Sequence, residues 1–348
     1  MSDEAGAQRD AGRIAWIDVA RGIAISLVVL FHAGMFAVPT GLAPAWWTDL
    51  NLAFALVRMP LFFLLAGALS VGALQRSWRR LWTTRIAVLV WVFVMWTVLR
   101  FLYYRVMPEP IELNQSKWID LVLSVVRPSN GLWFLFALVV FLVVTKLAAG
   151  RAARAIALGI ATLASLVLHA GATTGNVAYD GILRYFVFFL AGVMFRDLLV
   201  RTVERLNGLA VAVLLAGFVA GLALRGATGT VVDVLTALPV AVAGALGTLG
   251  VSRLLARRAL GRPFAALGGR TLQVYVTHVI VLSALTTGLT ALGGGSSLAA
   301  LAPVLPLLMA VVAIVVSLLL ARAAEAHRVT RLLYAAPAWF TRSAVRAW

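Results

Sequence analysis

Long apolar stretches, separated by short polar segments, dominate the pattern of residues along the chain. A helix needs roughly 17 to 25 apolar residues to cross a hydrocarbon layer about 30 Å thick. Such stretches predict an all-α fold, a polytopic bundle of about ten transmembrane helices, because a helix satisfies its own backbone hydrogen bonds in lipid. The predicted spans lie near residues 15–38, 51–74, 86–107, 131–148, 155–171, 181–199, 207–225, 231–252, 271–293 and 300–323.

Arginine-rich connections alternate with connections that carry few basic residues. When the N-terminus is placed in the cytoplasm, the arginine-rich connections at residues 75–85, 146–154, 196–205 and 253–270 all fall on the cytoplasmic side. Cytoplasmic loops of membrane proteins carry an excess of lysine and arginine. We therefore expect both termini in the cytoplasm. The frequent arginine and alanine suggest a high-GC bacterium, so the expected location is a bacterial inner membrane.

The extramembrane parts are short, which predicts one membrane domain with two small flanking segments. Residues 1–14 form a cytoplasmic N-terminal arm, residues 15–324 the membrane domain, and residues 325–348 a cytoplasmic amphipathic tail. The tail places Trp339 and Phe340 among arginines, a pattern typical of a segment at the membrane surface.

Composition agrees with this picture and excludes several classes of protein. Hydrophobic residues make up 62% of the 348 residues and charged residues 12%, with a mean hydropathy of +0.98, whereas a soluble domain is roughly half apolar. The net charge of +17 is accounted for by the cytoplasmic loops, so we expect the lipid bilayer and not nucleic acid as a partner. The chain has no cysteine, which excludes disulfides, thiolate metal ligands and a cysteine nucleophile. We expect neither a metal nor a permanently bound cofactor.

The first apolar stretch carries three ionisable groups, Asp18, Arg21 and His32, within RIAWIDVARGIAISLVVLFHAG at residues 13–34. Eleven helical steps of about 100° return to within roughly 20° of the starting direction, so Arg21 and His32 share one face, about 16 Å apart along the axis. Asp18 lies one turn before Arg21 and can pair with it. A charged group well inside a span costs on the order of 2.5 to 3.5 kcal/mol and usually faces a cavity or a partner.

Two interpretations of these residues remain open at this stage. Asp18 and Arg21 can form an ion pair that reaches the cytoplasmic interface, while His32 makes a structural interhelical hydrogen bond. Alternatively, an imidazole above a cation on the same wall can take a proton from a hydroxyl while the cation holds an anionic or carbonyl-bearing reactant. The shared face favours the second interpretation, which predicts group transfer inside the membrane.

The same stretch resembles the first helix of the acyltransferase-3 family, in which an Asp precedes Arg-Gly and a His follows the Arg after ten intervening residues. The segment DVARGIAISLVVLFH fits this pattern at Asp18, Arg21, Gly22 and His32. Further resemblances follow in the family's order along nearly the whole chain: RMPLFFLLAGAL at 58–69, GLWFLFALVVF at 131–141, RYFVFFLAGVMF at 184–195 and LGGRTLQVYVTHVIVL at 267–282.

This resemblance implies an integral membrane O-acyltransferase that moves an acyl group, usually acetyl from acetyl-CoA, to a hydroxyl of a sugar, glycolipid or envelope glycan. We expect His32 to act as the general base, with a transient acyl carrier as the alternative role, and Asp18 and Arg21 to order the inner part of a channel. Arginines at the start of the third helix either hold the phosphates of CoA or serve only as positive charges at the cytoplasmic surface, and the resemblance favours CoA binding for Arg80 and Arg85. The full set of these candidates is Arg76, Arg79, Arg80 and Arg85.

The remaining candidates are expected on the substrate side of the site. Arg58 should lie at the depth of His32 because the first two helices run antiparallel; it can hold the acceptor, the developing oxyanion or a backbone carbonyl. Trp133 can stack on a sugar or mark the membrane interface. Tyr275 and His278 lie about one turn apart, where substrate contact and a structural hydrogen bond are both open.

Two further functions remain open from the sequence. A transmembrane N-acetyltransferase acting on an amino sugar would share the histidine chemistry. A proton-coupled lipid or glycan transporter could use Arg21 and His32 as an ionisable pathway, but the sequence lacks a pair of short helices broken by Gly or Pro in corresponding halves. We therefore favour the O-acyltransferase, with acyl-CoA as co-substrate and a carbohydrate or glycolipid as acceptor.

Overall fold

The fold is all-helical, as predicted, in the part of the chain that the computed structural model describes, which is residues 15–111, 118–128, 131–228, 230–293 and 298–343. The predicted arm at 1–14 and the end of the predicted tail at 344–348 lie outside the described residues. The α-helices are α1 Ala15–Ala37, α2 Trp46–Leu74, α3 Trp78–Val106, α4 Trp118–Leu123, α5 Trp133–Leu147, α6 Arg151–His169, α7 Val177–Met194, α8 Arg196–Arg205, α9 Gly208–Thr228, α10 Thr230–Ala256, α11 Gly261–Gly268, α12 Thr271–Ala291, α13 Leu305–Glu325 and α14 Ala338–Ser343.

Nine helices of the described chain are long and apolar enough to cross a membrane, and α5 is a shorter apolar helix. Together they confirm the predicted bundle of about ten transmembrane helices. The first of them, α1, lies at the centre and contacts α2, α10, α11, α12 and α13. Polar groups on several faces of α1 therefore meet protein and not lipid.

Glycines allow α1 to approach the short helix α11 very closely. A Cβ atom on Gly22 would collide with the backbone carbonyl of Phe264, and a Cβ atom on Gly268 would collide with the carbonyl of Asp18. The Gly that follows Arg21 is therefore required by packing, because any side chain there would separate the two helices. This contact fixes the N-terminal half of α1, where Asp18 and Arg21 lie.

Helix α3 is irregular near its N-terminal end. Ser77 caps it by accepting a hydrogen bond from the backbone N–H of Arg80, and residues Trp82–Ile86 then form a π-helical turn. Such turns insert an extra residue into a helix and are frequent at functional sites. Here the turn carries Thr84 and Arg85, both of which line a cavity in the bundle.

The described part of the tail packs along α3. The indole N–H groups of Trp91 and Trp96 donate hydrogen bonds of 2.7 Å to the carbonyls of Leu332 and Leu333. The hydroxyl of Tyr334 lies 3.1 Å from Thr277 Oγ1 on α12, and burial raises the pKa of the Tyr334 phenol, which keeps it neutral. The tail therefore bridges α3 and α12.

Candidate active site

Arg21 connects α1 to the beginning of α12. Its Nη1 atom lies 3.4 Å from Asp18 Oδ1, and its Nη2 atom donates a 3.0 Å hydrogen bond to Thr271 Oγ1. The predicted pairing of Asp18 with Arg21 is thus present, with a second partner 250 positions away in the chain. Asp18 is buried, whereas the Arg21 side chain keeps about a third of its surface exposed.

His32 lies against His278 of α12. The His278 Nε2 atom is 3.2 Å from His32 Nδ1, and the two rings meet edge to face with their centroids 4.8 Å apart. His32 Nδ1 is also 2.9 Å from the carbonyl oxygen of Val28, and His278 Nδ1 is 3.0 Å from that of Val274. His278 is fully buried.

These contacts assign the tautomer of both neutral rings, because a carbonyl oxygen can only accept. His278 Nδ1 must carry the hydrogen that it donates to Val274, so His278 Nε2 carries a lone pair. His32 Nδ1 is then close to two acceptors, His278 Nε2 and the Val28 carbonyl oxygen. The ring hydrogen of neutral His32 is therefore on Nδ1. The lone pair of His32 is consequently at Nε2, the nitrogen that a general base would use.

Gly131, just before α5, lies beside this nitrogen. The point where a Cβ atom of Gly131 would be is 3.8 Å from His32 Nε2 and 3.2 Å from Arg100 Nη1 on α3. The Gly131 carbonyl accepts a 2.6 Å hydrogen bond from the Tyr275 hydroxyl. Arg100 is 1% exposed, and its Nε, Nη1 and Nη2 atoms have no hydrogen-bond partner among the described residues.

Aromatic rings surround the other side of His32. The guanidinium carbon of Arg58 lies 4.1 Å from the centre of the Phe31 ring, and Phe31 packs edge-on to His32. Arg58 is therefore at the depth of His32, as the antiparallel helices predicted, and it is buried. Trp133 lies nearly parallel to Tyr185 of α7, with 6.3 Å between their centroids.

A cavity of about 430 Å³ extends from the N-terminal end of α3 into the bundle. Polar groups occur toward its Arg85 and Arg21 end, where Thr84, Ser70 and Thr271 also contribute. Leucine, valine and phenylalanine side chains of α2, α3 and α5 form most of the remaining wall. Tyr275 lines the cavity as well, so one side chain both borders the cavity and binds the Gly131 carbonyl next to His32.

The four candidate arginines at the start of α3 differ in their positions. Arg85 lines the cavity, with Nη2 3.4 Å from the Leu69 carbonyl. All four side chains are exposed, but Arg76, Arg79 and Arg80 are not among the residues that line this cavity. The structure thus distinguishes Arg85 from the other three.

Residues from distant parts of the sequence come together here, and some of them were not predicted. His32, His278, Tyr275 and Arg58 converge, and Arg21 lines the same cavity as Tyr275. Arg100 is not among the residues predicted for the site, and the structure places it, buried, near His32. A signal was available, because Arg105 is the arginine nearest the end of α3 and Arg100 lies more than a turn deeper in the apolar stretch.

Comparison with known proteins gives a family match over most of the chain. A family model described as an acyltransferase domain, Acyl_transf_3, matches residues 14–322. No curated protein and no solved structure matches the chain. The matched region includes α1 and α12 and therefore contains the whole candidate site.

Proposed function

The chain belongs to the acyltransferase-3 family of membrane acyltransferases, and from this premise we propose that it transfers an acyl group, acetyl in the first instance, from acyl-CoA to a hydroxyl of a carbohydrate or glycolipid in a bacterial inner membrane. The observation that carries the proposal is the His32–His278 pair. It leaves the lone pair of His32 at Nε2, close to Gly131. The Gly131 carbonyl binds Tyr275, which lines a cavity that also reaches Arg85.

The donor fits the cavity by its shape and chemistry. CoA consists of a phosphorylated nucleotide joined to a long, narrow pantetheine arm that ends in the thioester. Arg85, and the exposed arginines that precede it, can bind phosphate oxygens through charge-assisted hydrogen bonds. The arm would then extend past Arg21 and Thr271 along the apolar wall toward Tyr275, which brings the thioester near His32.

The transfer is an addition followed by an elimination. The acceptor hydroxyl oxygen forms a bond to the thioester carbonyl carbon while its proton moves to His32 Nε2. The tetrahedral intermediate then collapses, the carbon–sulfur bond breaks, and the CoA sulfur takes the proton from His32. The products are the acceptor ester and free CoA, and His32 returns to its neutral form.

His278 orients His32 in this proposal and does not contact substrate. Its Nε2 atom accepts the hydrogen of His32 Nδ1, which holds the ring in the tautomer with a basic Nε2. When His32 becomes an imidazolium, the same hydrogen bond is strengthened by the charge. Arg21 and Asp18 order the channel closer to the cytoplasm, while Arg58 and Trp133 border the side assigned to the acceptor.

The test measures CoA release by the purified protein in lipid nanodiscs, with acetyl-CoA as donor and trehalose or octyl glucoside as acceptor. A thiol reagent reports CoA directly, because the chain has no cysteine to react with it. We expect acceptor-dependent release by the natural chain and its loss in His32→Ala. His169→Ala is a matched control, because His169 Nδ1 contacts the carbonyl four residues earlier just as His32 does.

Two results would overturn the proposal. Turnover of His32→Ala near that of the natural chain would exclude His32 as the base. Flux of a lipid or glycan across the bilayer with no CoA consumption would favour the transporter. With glucosamine as acceptor, which offers both an amine and hydroxyls, mass spectrometry of the product distinguishes an ester from the amide that an N-acetyltransferase would form.

A further inference from the structure

Arg100 is a buried cation that the reaction described so far does not use. It lies in α3, is 1% exposed, and none of its three guanidinium nitrogens has a hydrogen-bond partner among the described residues. Buried arginines are almost always paired, since an unpaired charge loses its hydration without compensation. An unpaired guanidinium inside a membrane protein therefore indicates a function that involves an anion.

The position of Arg100 relative to His32 identifies where that anion would be. Arg100 Nη1 and His32 Nε2 are 3.2 and 3.8 Å from the same point, the missing Cβ of Gly131. The two nitrogens, which come from different helices, are therefore at most 7.0 Å apart, close enough for one reacting group to contact both. A base and a hydrogen-bond donor that converge in this way can contact two oxygens bonded to the same carbon.

We propose that Arg100 is a catalytic residue that stabilises the oxyanion of the tetrahedral intermediate, a role that rests on the proposed acyl transfer. As the acceptor oxygen bonds to the thioester carbon, the electron pair of the C=O double bond moves to the carbonyl oxygen, which becomes negatively charged. Arg100 donates hydrogen bonds to that oxygen while His32 holds the acceptor proton. The negative charge returns to form C=O when the carbon–sulfur bond breaks.

The enclosed surroundings strengthen this effect. A guanidinium that is already desolvated and held in place needs no rearrangement when the charge forms, and its attraction for an oxyanion is greater than in water. Arg58 is a less suitable donor, because its guanidinium lies over the Phe31 ring. Gly131 contributes by having no side chain that would press on Arg100.

The experiment compares Arg100→Met with Arg105→Met. Arg105 is an exposed arginine on the same helix and serves as the control. CoA release from acetyl-CoA is measured with octyl glucoside as acceptor and with water alone, because hydrolysis passes through the same oxyanion. We expect Arg100→Met to lower kcat of both reactions by about 10²- to 10³-fold, the typical loss for one oxyanion donor, while KM for acetyl-CoA changes little. Arg105→Met should leave both reactions unchanged.

Thermal unfolding separates this role from a structural one. Removal of an unpaired buried charge should leave Tm equal or higher in Arg100→Met, whereas removal of a structural arginine would lower it. Unchanged kcat, a fall in Tm together with activity, or a rise in acceptor KM with normal hydrolysis would each overturn the role of Arg100. If the natural chain itself released no CoA, the proposed acyl transfer would fail, and this inference with it.

Discussion

The His278 Nε2 atom lies 3.2 Å from the His32 Nδ1 atom, although the two residues are 246 positions apart in the chain. His278 is in turn held by the Val274 carbonyl of its own helix. The two rings therefore form a short relay that begins at a backbone carbonyl and ends at the lone pair of His32 Nε2. This arrangement requires residue 278 to place a hydrogen-bond acceptor where the His278 Nε2 atom lies.

Replacement of His278 tests this demand. We expect His278→Phe to lower kcat by about 10- to 100-fold, the usual effect of losing the partner that orients a functional histidine. His278→Gln should retain more activity, because its amide oxygen can reach the same position and accept from His32. The measurement is CoA release from acetyl-CoA. Equal rates in the two variants would show that the hydrogen bond does not matter.

Gly131→Ala should displace Arg100 relative to His32 without unfolding the protein. The new Cβ atom would be 3.2 Å from Arg100 Nη1, a tight contact, and 3.8 Å from His32 Nε2. We expect kcat to fall by about 10²-fold, because small displacements of reacting groups have effects of this size. Gly159→Ala is the control, since nothing lies near its Cβ position. A Gly131→Ala variant with normal kcat would contradict the placement of the reacting group between Arg100 and His32.

Occupation of the cavity should weaken donor binding. Leu138 lines the cavity wall, and Leu138→Trp would fill part of the path assigned to the pantetheine arm. We expect KM for acetyl-CoA to rise by about 10-fold, since overpacking costs roughly 1 to 3 kcal/mol. Leu163→Trp provides the control, because Leu163 is 64% exposed on α6. Equal KM values in both variants would exclude this cavity as the donor path.

Arg85→Gln should raise KM for acetyl-CoA more than substitution of the neighbouring arginines that do not line the cavity. A charge-assisted hydrogen bond contributes about 1.5 to 3 kcal/mol, so KM for acetyl-CoA should rise by roughly 10- to 100-fold. Arg205→Gln, an exposed arginine at the end of α8, should leave KM unchanged. If Arg80→Gln raised KM and Arg85→Gln did not, the phosphates would have to bind outside the cavity.

Gly22→Ala should lower the free energy of unfolding of the protein. The added methyl group would meet the Phe264 carbonyl, and separating α1 from α11 should cost at least about 1 to 3 kcal/mol. The measurement is Tm in nanodiscs, with Gly159→Ala expected to be neutral or slightly stabilising in its helix. An unchanged Tm would mean that the two helices can shift apart freely.

The sequence by itself determined the positions of the helices and the protein family. Apolar stretches of sufficient length fixed the positions of the spans, because only a helix satisfies its backbone within lipid. The helical period placed Arg21 and His32 on one face, and Asp18 one turn away. The resemblance to the acyltransferase-3 family was confirmed by the match over residues 14–322. All of these follow from regularities within one helix or from a pattern along the chain.

Only the tertiary structure decided which helices are neighbours. It brought His278 to His32 and placed the buried Arg100 near His32. It also showed that Arg85 lines the cavity, unlike the other candidate arginines of α3. The physical reason is that the spans are similar apolar helices, so their composition carries little information about lateral order. That order depends on close contacts such as Gly22 with the Phe264 carbonyl. Such contacts become specific only when two surfaces are packed together, and a helical period cannot reveal them.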